Sequence, residues 1–183
     1  MMGIPGTITE LHAWLNTMVT DTDRSRGTLV MLCGMAGSGK TTAATFLEAR
    51  GFVRLSIDEE IWHRFGRFGI DYPAEIYPSL QQRVASDLWS RLPALLEKAV
   101  PIVIDNSFWN RETRDRYKRL AESYARRWIL LYLKTSPTVL RERLYHRRER
   151  FDANAAFPIH DELLDSYLKS FQEPFREGEI VFE

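Results

Sequence analysis

Cysteine is nearly absent from this 183-residue chain, where Cys33 stands alone. One thiol cannot close an internal disulfide or build a multi-cysteine zinc site, which favours a reducing compartment. Lysine is scarce too: five of the 25 basic residues are Lys and the rest are Arg. The planar guanidinium fork suits phosphate, although genomic base composition produces the same bias. An excess of either charge is missing, because 25 Lys+Arg offset 25 Asp+Glu. Adhesion to nucleic acid or to an anionic membrane is therefore not expected as the chain's main work, while a local basic site stays open. No apolar stretch approaches the roughly 20 residues that cross a bilayer. The start, MMGIPGTITELHAWLNT, has no basic segment followed by an apolar block, so no signal peptide is read and a cytoplasmic protein is expected. Repeats and low-complexity linkers are also lacking. The length and the 44% hydrophobic content fit one globular domain spanning 1–183.

What is present alternates. Residues 8–19 predict a helix, with Leu11, Trp14, Leu15, Met18 and Val19 on one stripe and Thr7 or Thr9 as its cap. The polar run DTDRSRG (21–27) breaks it and closes an N-terminal helical extension, 1–27. Residues 28–33 (TLVMLC) read as a strand covered on both faces. A glycine-rich turn follows, then a helix over 40–50 that Gly51 stops. Residues 52–57 predict a second strand with Asp58 at its end, and EEIWHRF a short helix. Gly66, Gly69 and Pro73 mark a loop; 74–99 is helical, with bends expected near Pro78 or Pro93. Strands at 101–105, 127–134 and 179–182 and helices at 111–125, from Pro137, and at 160–172 complete the pattern. Such alternation predicts a three-layer α/β fold: a mostly parallel five-stranded sheet with helices on both faces and a short helical lid near 143–158. Ligands in such sheets bind beyond the carboxyl ends of the strands.

The segment Gly34-Met35-Ala36-Gly37-Ser38-Gly39-Lys40-Thr41, followed by Thr42, matches the phosphate-binding P-loop pattern in full, with a strand before it and a helix after it. Gly34, Gly37 and Gly39 let the backbone curl until its N–H groups converge on phosphate oxygens, and the following helix presents its positive end. Lys40 is expected to reach the β- and γ-phosphates of ATP, and the Thr41 hydroxyl to ligate Mg2+. A GTPase guanine motif is missing where LKTSP stands, and a mechanical ATPase usually needs a longer chain. A small kinase remains. It requires an acceptor hydroxyl, a base beside it and a cover that excludes water.

Asp58 is the candidate base, with a helix cap as its bland alternative. Asp105 ends IVID; three readings stand, namely Mg2+ holding, substrate contact together with Asn106 and Ser107, or turn formation. Arg141, Arg143, Arg147, Arg148 and Arg150 crowd one segment, and Arg147, then Arg143, is the candidate to stabilise the transferring group. Arg64, Arg111 and Arg114 are placed on the acceptor side, against the alternative of ordinary surface residues. Trp62, Phe65, Phe68, Tyr72 and Trp109 offer an aromatic wall, with core packing as the equal alternative. Cys33 is expected to be inert, and His12, His63, His146 and His160 show no metal-ligand spacing.

Over about 28–175 the chain resembles the small P-loop kinases that include polynucleotide 5′-kinase domains, chloramphenicol phosphotransferase and zeta toxin, proteins often catalogued as AAA-type ATP-binding proteins. GMAGSGKTT looks like their Walker A motif and LSIDE like the segment whose Asp acts as base, which implies that role for Asp58. DNSFWNRETRDRYKRLAE is similar to their third-strand segment, where an Asp-Asn pair and later arginines line the acceptor site. RERLYHRRERF and FPIHDELLDSYLKSFQEP resemble their lid and closing helix. Polynucleotide kinases tend to carry Arg three residues after the catalytic Asp; here Ile61 stands there. An ATP- and Mg2+-dependent phosphotransferase acting on a small-molecule or nucleoside-type hydroxyl is the reading that follows. A polynucleotide 5′-kinase, for which nucleic acid is a possible but less favoured partner, and a non-catalytic ATP-binding module are the alternatives. The sequence assigns no oligomeric state and no membrane association.

Overall fold

The computed structural model describes residues 7–147, 152–153 and 159–183. Strand β1 (Leu29–Cys33) is buried along its whole length, as its unbroken apolar run requires. It lies at the centre of a five-stranded sheet ordered β2-β3-β1-β4-β5, built with β2 (Val53–Ser56), β3 (Ile102–Asp105), β4 (Trp128–Leu133) and β5 (Glu179–Phe182). Every pairing is parallel, so the expected mostly parallel sheet is wholly so.

Side-chain alternation divides β1 between two cores. Leu29, Met31 and Cys33 join one core, Val30 and Leu32 the other. The first core packs under α4 (Ile57–Phe65), α5 (Tyr77–Glu97) and α6 (Arg111–Ser123). The second packs under α1 (Ile8–Met18) and α3 (Lys40–Glu48), through Leu11, Leu15, Ala43 and Leu47. A smaller cluster joins Met35 of the P-loop to Leu140 and Leu144 of α7 (Pro137–Arg147) and to Leu164 of α8 (Asp161–Ser170). The glycine-rich turn thus sits at the carboxyl end of the central strand, between helices of both faces.

Local chemistry explains the element ends. Thr7 and Glu10 form a reciprocal capping box on α1. The polar run expected to be irregular contains a short helix, α2 (Asp21–Ser25), because Thr20 and Asp23 form a second capping box. Pro78 falls in the first turn of α5, where a missing N–H is harmless, and the helix continues through Pro93. Asp58 does not end strand β2: the strand stops at Ser56, and Asp58 lies in the first turn of α4.

The C-terminal strand is held by a buried ion pair. The Arg114 guanidinium donates to both carboxylate oxygens of Glu177 at 2.8 and 2.6 Å and to the carbonyls of Phe108 and Gln172. Lys118 Nζ donates to the Glu177 carbonyl at 2.8 Å. Arg114 is fully buried, so this pair ties α6 to the segment leading into β5. Removing one partner of a buried pair leaves the other uncompensated. Arg114→Ala should therefore destabilise the protein by about 3–5 kcal/mol in denaturant titration.

Candidate active site

The P-loop conformation depends on glycine at two points. Gly34 has φ +147°, and a Cβ there would meet the Leu133 carbonyl oxygen at 2.7 Å. Gly39 starts α3 with φ 102°, a left-handed conformation that side chains resist. Lys40 Nζ donates to the Met35 carbonyl at 2.8 Å, holding the ammonium across the loop. The Ser38 hydroxyl is buried and has no hydrogen-bond partner among the described residues. An unsatisfied polar atom inside a turn of converging amides suits an anionic ligand.

Around the loop lies one cleft of about 1860 Å³. Residues 35–42 line it, together with Asp58, Asp105, Asn106, Arg143 and Arg147. Register explains part of this convergence. Asp105 pairs with Leu32 across β1 and with Ser56 across β2, so the ends of three adjacent strands meet beside the loop. From α7, Arg143 donates to the Gly37 carbonyl at 3.2 Å. Arg147, at the end of the same helix, is close enough for Lys40 and Asp58 both to feel its charge.

The charges are arranged unequally. Arg54, from β2, donates to Asp105 Oδ2 through Nε at 3.2 Å and Nη2 at 2.6 Å. Asp58 accepts instead from the neutral Tyr77 hydroxyl at 3.0 Å. Surrounding protein raises the Asp58 pKa, which the Tyr77 hydrogen bond opposes and the Asp105 charge reinforces. Asp58 is nevertheless open to water in the cleft, and that contact tempers the rise. Burial lowers the Lys40 pKa, with the Asp105 carboxylate opposing. Burial also pushes the Cys33 thiol up to about 12, and its S–H faces the Phe108 carbonyl, so it is inert.

Thr41 in the first turn of α3 and Asp105 both line the cleft, and both are oxygen donors. Mg2+ takes few protein oxygens and fills its remaining positions with water and phosphate, so this pair fits it. No group of three or more His, Cys, Asp or Glu suited to a metal occurs among the described residues.

The family model of an AAA domain matches residues 29–174. The chain belongs to the AAA domain family. Similar solved structures include a gluconokinase from Sinorhizobium meliloti 1021, with 23% identity, TM-score 0.55 and 86% of this chain against 83% of that one. A candidate kinase from Chloroflexus aurantiacus has 18% identity, TM-score 0.64 and coverage of 84% and 86%. Kti12 of Chaetomium thermophilum, in complex with ADP-AlF3, has 16% identity, TM-score 0.57 and coverage of 84% and 88%. No curated protein matches the chain. Family and fold therefore agree with the small P-loop kinase group that the motifs resemble.

Several expectations need correction. Arg114 is a buried structural residue and cannot face an acceptor. Arg64 is held by Glu60 and Asp87 at 2.8 and 2.7 Å, and Arg111 lies beside Asp115; neither lines the cleft. Asp58 is not the helix cap, since Ser56 accepts from the Glu59 N–H. Of the aromatic wall only Trp109 lines the cleft; Phe68 and Tyr72 pack with Tyr77, and Phe65 lies against the core. Arg148, Arg150 and most of the expected lid beyond Arg147 lie outside the described residues. Arg54 and Tyr77 escaped sequence reading. Each sits far along the chain from the carboxylate it touches, and no motif marks either.

A carboxyl whose pKa is raised by folding binds its proton more tightly in the native state. Its charged form therefore weakens stability above the folded pKa, and the penalty vanishes below the unfolded value. Asn keeps the shape and the acceptor for Tyr77. Asp58→Asn should melt at a higher temperature than the parent at pH 7, and the difference should shrink toward pH 3.5.

Proposed function

We propose that this chain is an ATP- and Mg2+-dependent phosphotransferase that moves the γ-phosphoryl group to a hydroxyl of a small molecule or nucleoside-type acceptor. The observation that carries the reading is the position of Asp58, which shares one cleft with the P-loop and feels the Lys40 charge. A plain nucleotide holder has no need of a carboxylate there.

Lys40 and the loop amides hold the β- and γ-phosphates. Thr41 and Asp105 are the residues that would hold Mg2+, which supplies positive charge against the phosphates. Both Arg54 bonds fall on Asp105 Oδ2, so Asp105 offers its other oxygen. The acceptor hydroxyl, oriented by Asp58, gives its proton to that carboxylate as its oxygen bonds to the γ-phosphorus. The bond from the γ-phosphorus to the β–γ bridging oxygen breaks, and ADP leaves. Arg147 stabilises charge on the transferring group, while Arg143 keeps α7 against the loop. Asn106, which lines the cleft, is assigned to acceptor contact in this reading. A polynucleotide acceptor is less favoured: Ile61, where those kinases tend to carry Arg, is buried in the core.

Labelled ATP offered with a panel of sugars, sugar acids including gluconate, nucleosides and 5′-hydroxyl oligonucleotides tests the reading. Transfer to a small hydroxyl compound is expected. In the same assay Asp58→Asn should keep ATP affinity while transfer falls about 10²- to 10⁴-fold. Loss of ATP affinity in that variant would make Asp58 a structural residue. Lys40→Ala should lose ATP binding and turnover; retention of both would remove Lys40 from the phosphate site.

A further inference from the structure

The cleft extends to both sides of the sheet. On one side it is lined by Asp58, Tyr77 and Gln81 of α4 and α5. On the other it is lined by Ile8, Leu11 and His12 of α1 and by Thr42, Thr45 and Phe46 of α3. The P-loop lies between the two arms. Asp58 makes the first arm the acceptor side, which leaves the second free to receive the base of a donor whose phosphates occupy the loop.

That second arm is built in part from α1, a helix outside the family match, which begins at residue 29. Helix α1 is nonetheless seated on the P-loop: Leu11 Cδ2 lies 3.7 Å from where a Gly39 Cβ would stand. His12 stacks on Phe46 with ring centroids 4.2 Å apart and planes 20° apart. Arg50 covers the same Phe46 ring at 5.6 Å. Trp14 packs on Phe182, which also lines the cleft and fixes α1 against the end of β5. Ile8 is 64% exposed, an apolar side chain facing solvent at the cleft edge. Flat aromatic and apolar surface beside hydroxyls is the chemistry that receives a purine: faces stack or pack, and the ring edge meets polar groups.

We propose that α1 forms the base-binding wall of the donor site, with the purine of a nucleoside triphosphate packed against Ile8 and His12. This rests on the nucleotide-donor reading and adds to it a segment that the family match does not include. The extension is then part of the site, and its loss separates base recognition from phosphate recognition.

Ile8→Ser, His12→Ala and His12→Phe test this by calorimetric titration of the full chain with Mg2+ and either ATP or inorganic tripolyphosphate. Ile8 is exposed and His12 is only half-buried, so the fold should survive, and melting curves verify it. ATP affinity should fall about five- to tenfold in Ile8→Ser and His12→Ala, the lower range for loss of a base-packing side chain. Tripolyphosphate affinity should stay unchanged, and His12→Phe should restore ATP binding. Unchanged ATP affinity in both truncations, or an equal loss for ATP and tripolyphosphate, would overturn the proposal while the P-loop reading stands. Failure of the parent protein to bind either ligand would overturn both.

Discussion

Two carboxylates beside one ammonium set the terms for the whole site. Asp58 and Asp105 repel one another, and both attract Lys40. The protein treats them differently. Arg54 bonds directly to Asp105, whereas Asp58 accepts from the neutral hydroxyl of Tyr77 and feels the Lys40 and Arg147 charges only at a distance. A single cleft thus holds one acid tied to a guanidinium and one whose hydrogen-bond partner is an uncharged hydroxyl. The arrangement sets two like charges against each other. Rigid elements must therefore enforce it.

Those elements are the parallel strands. Register places Leu32 beside Asp105 and Asp105 beside Ser56, so the loop, one acid and the helix carrying the other acid all issue from adjacent strand ends. Parallel pairing puts all these ends on the same edge of the sheet. The glycine at 34 completes the geometry, since its missing Cβ lets β1 turn beneath the Leu133 carbonyl. Met35 then couples the loop to α7 and α8 through apolar contact, and Arg143 adds a direct bond to Gly37. Helix α7 is thereby tied directly to the P-loop.

Arginine plays more than one part here. The abundance of Arg suggested phosphate recognition, yet Arg54 and Arg114 are used inside the protein, one against Asp105 and one against Glu177. A guanidinium can satisfy several acceptors at once, as Arg114 does with Glu177, Phe108 and Gln172, and so tolerates burial where an ammonium is harder to place. Composition alone cannot separate these uses from an Arg that faces a ligand.

The sequence by itself determined the P-loop motif and most of the order of strands and helices along the chain, and it singled out the acids at positions 58 and 105, of which only Asp105 ends its strand. Each is a local matter: glycine spacing, continuous apolar runs, helical periodicity and the residue type at an element's end act over a few neighbours. Even there, Thr20 and Asp23 made a short helix from a segment whose polarity had suggested irregular chain. Only the tertiary structure decided which arginines face the cleft, that Tyr77 touches Asp58, that Arg54 grips Asp105, and that α1 lies on the P-loop. These contacts join residues distant in the chain, and they are set by strand register and helix packing, for which a single sequence has no spacing rule.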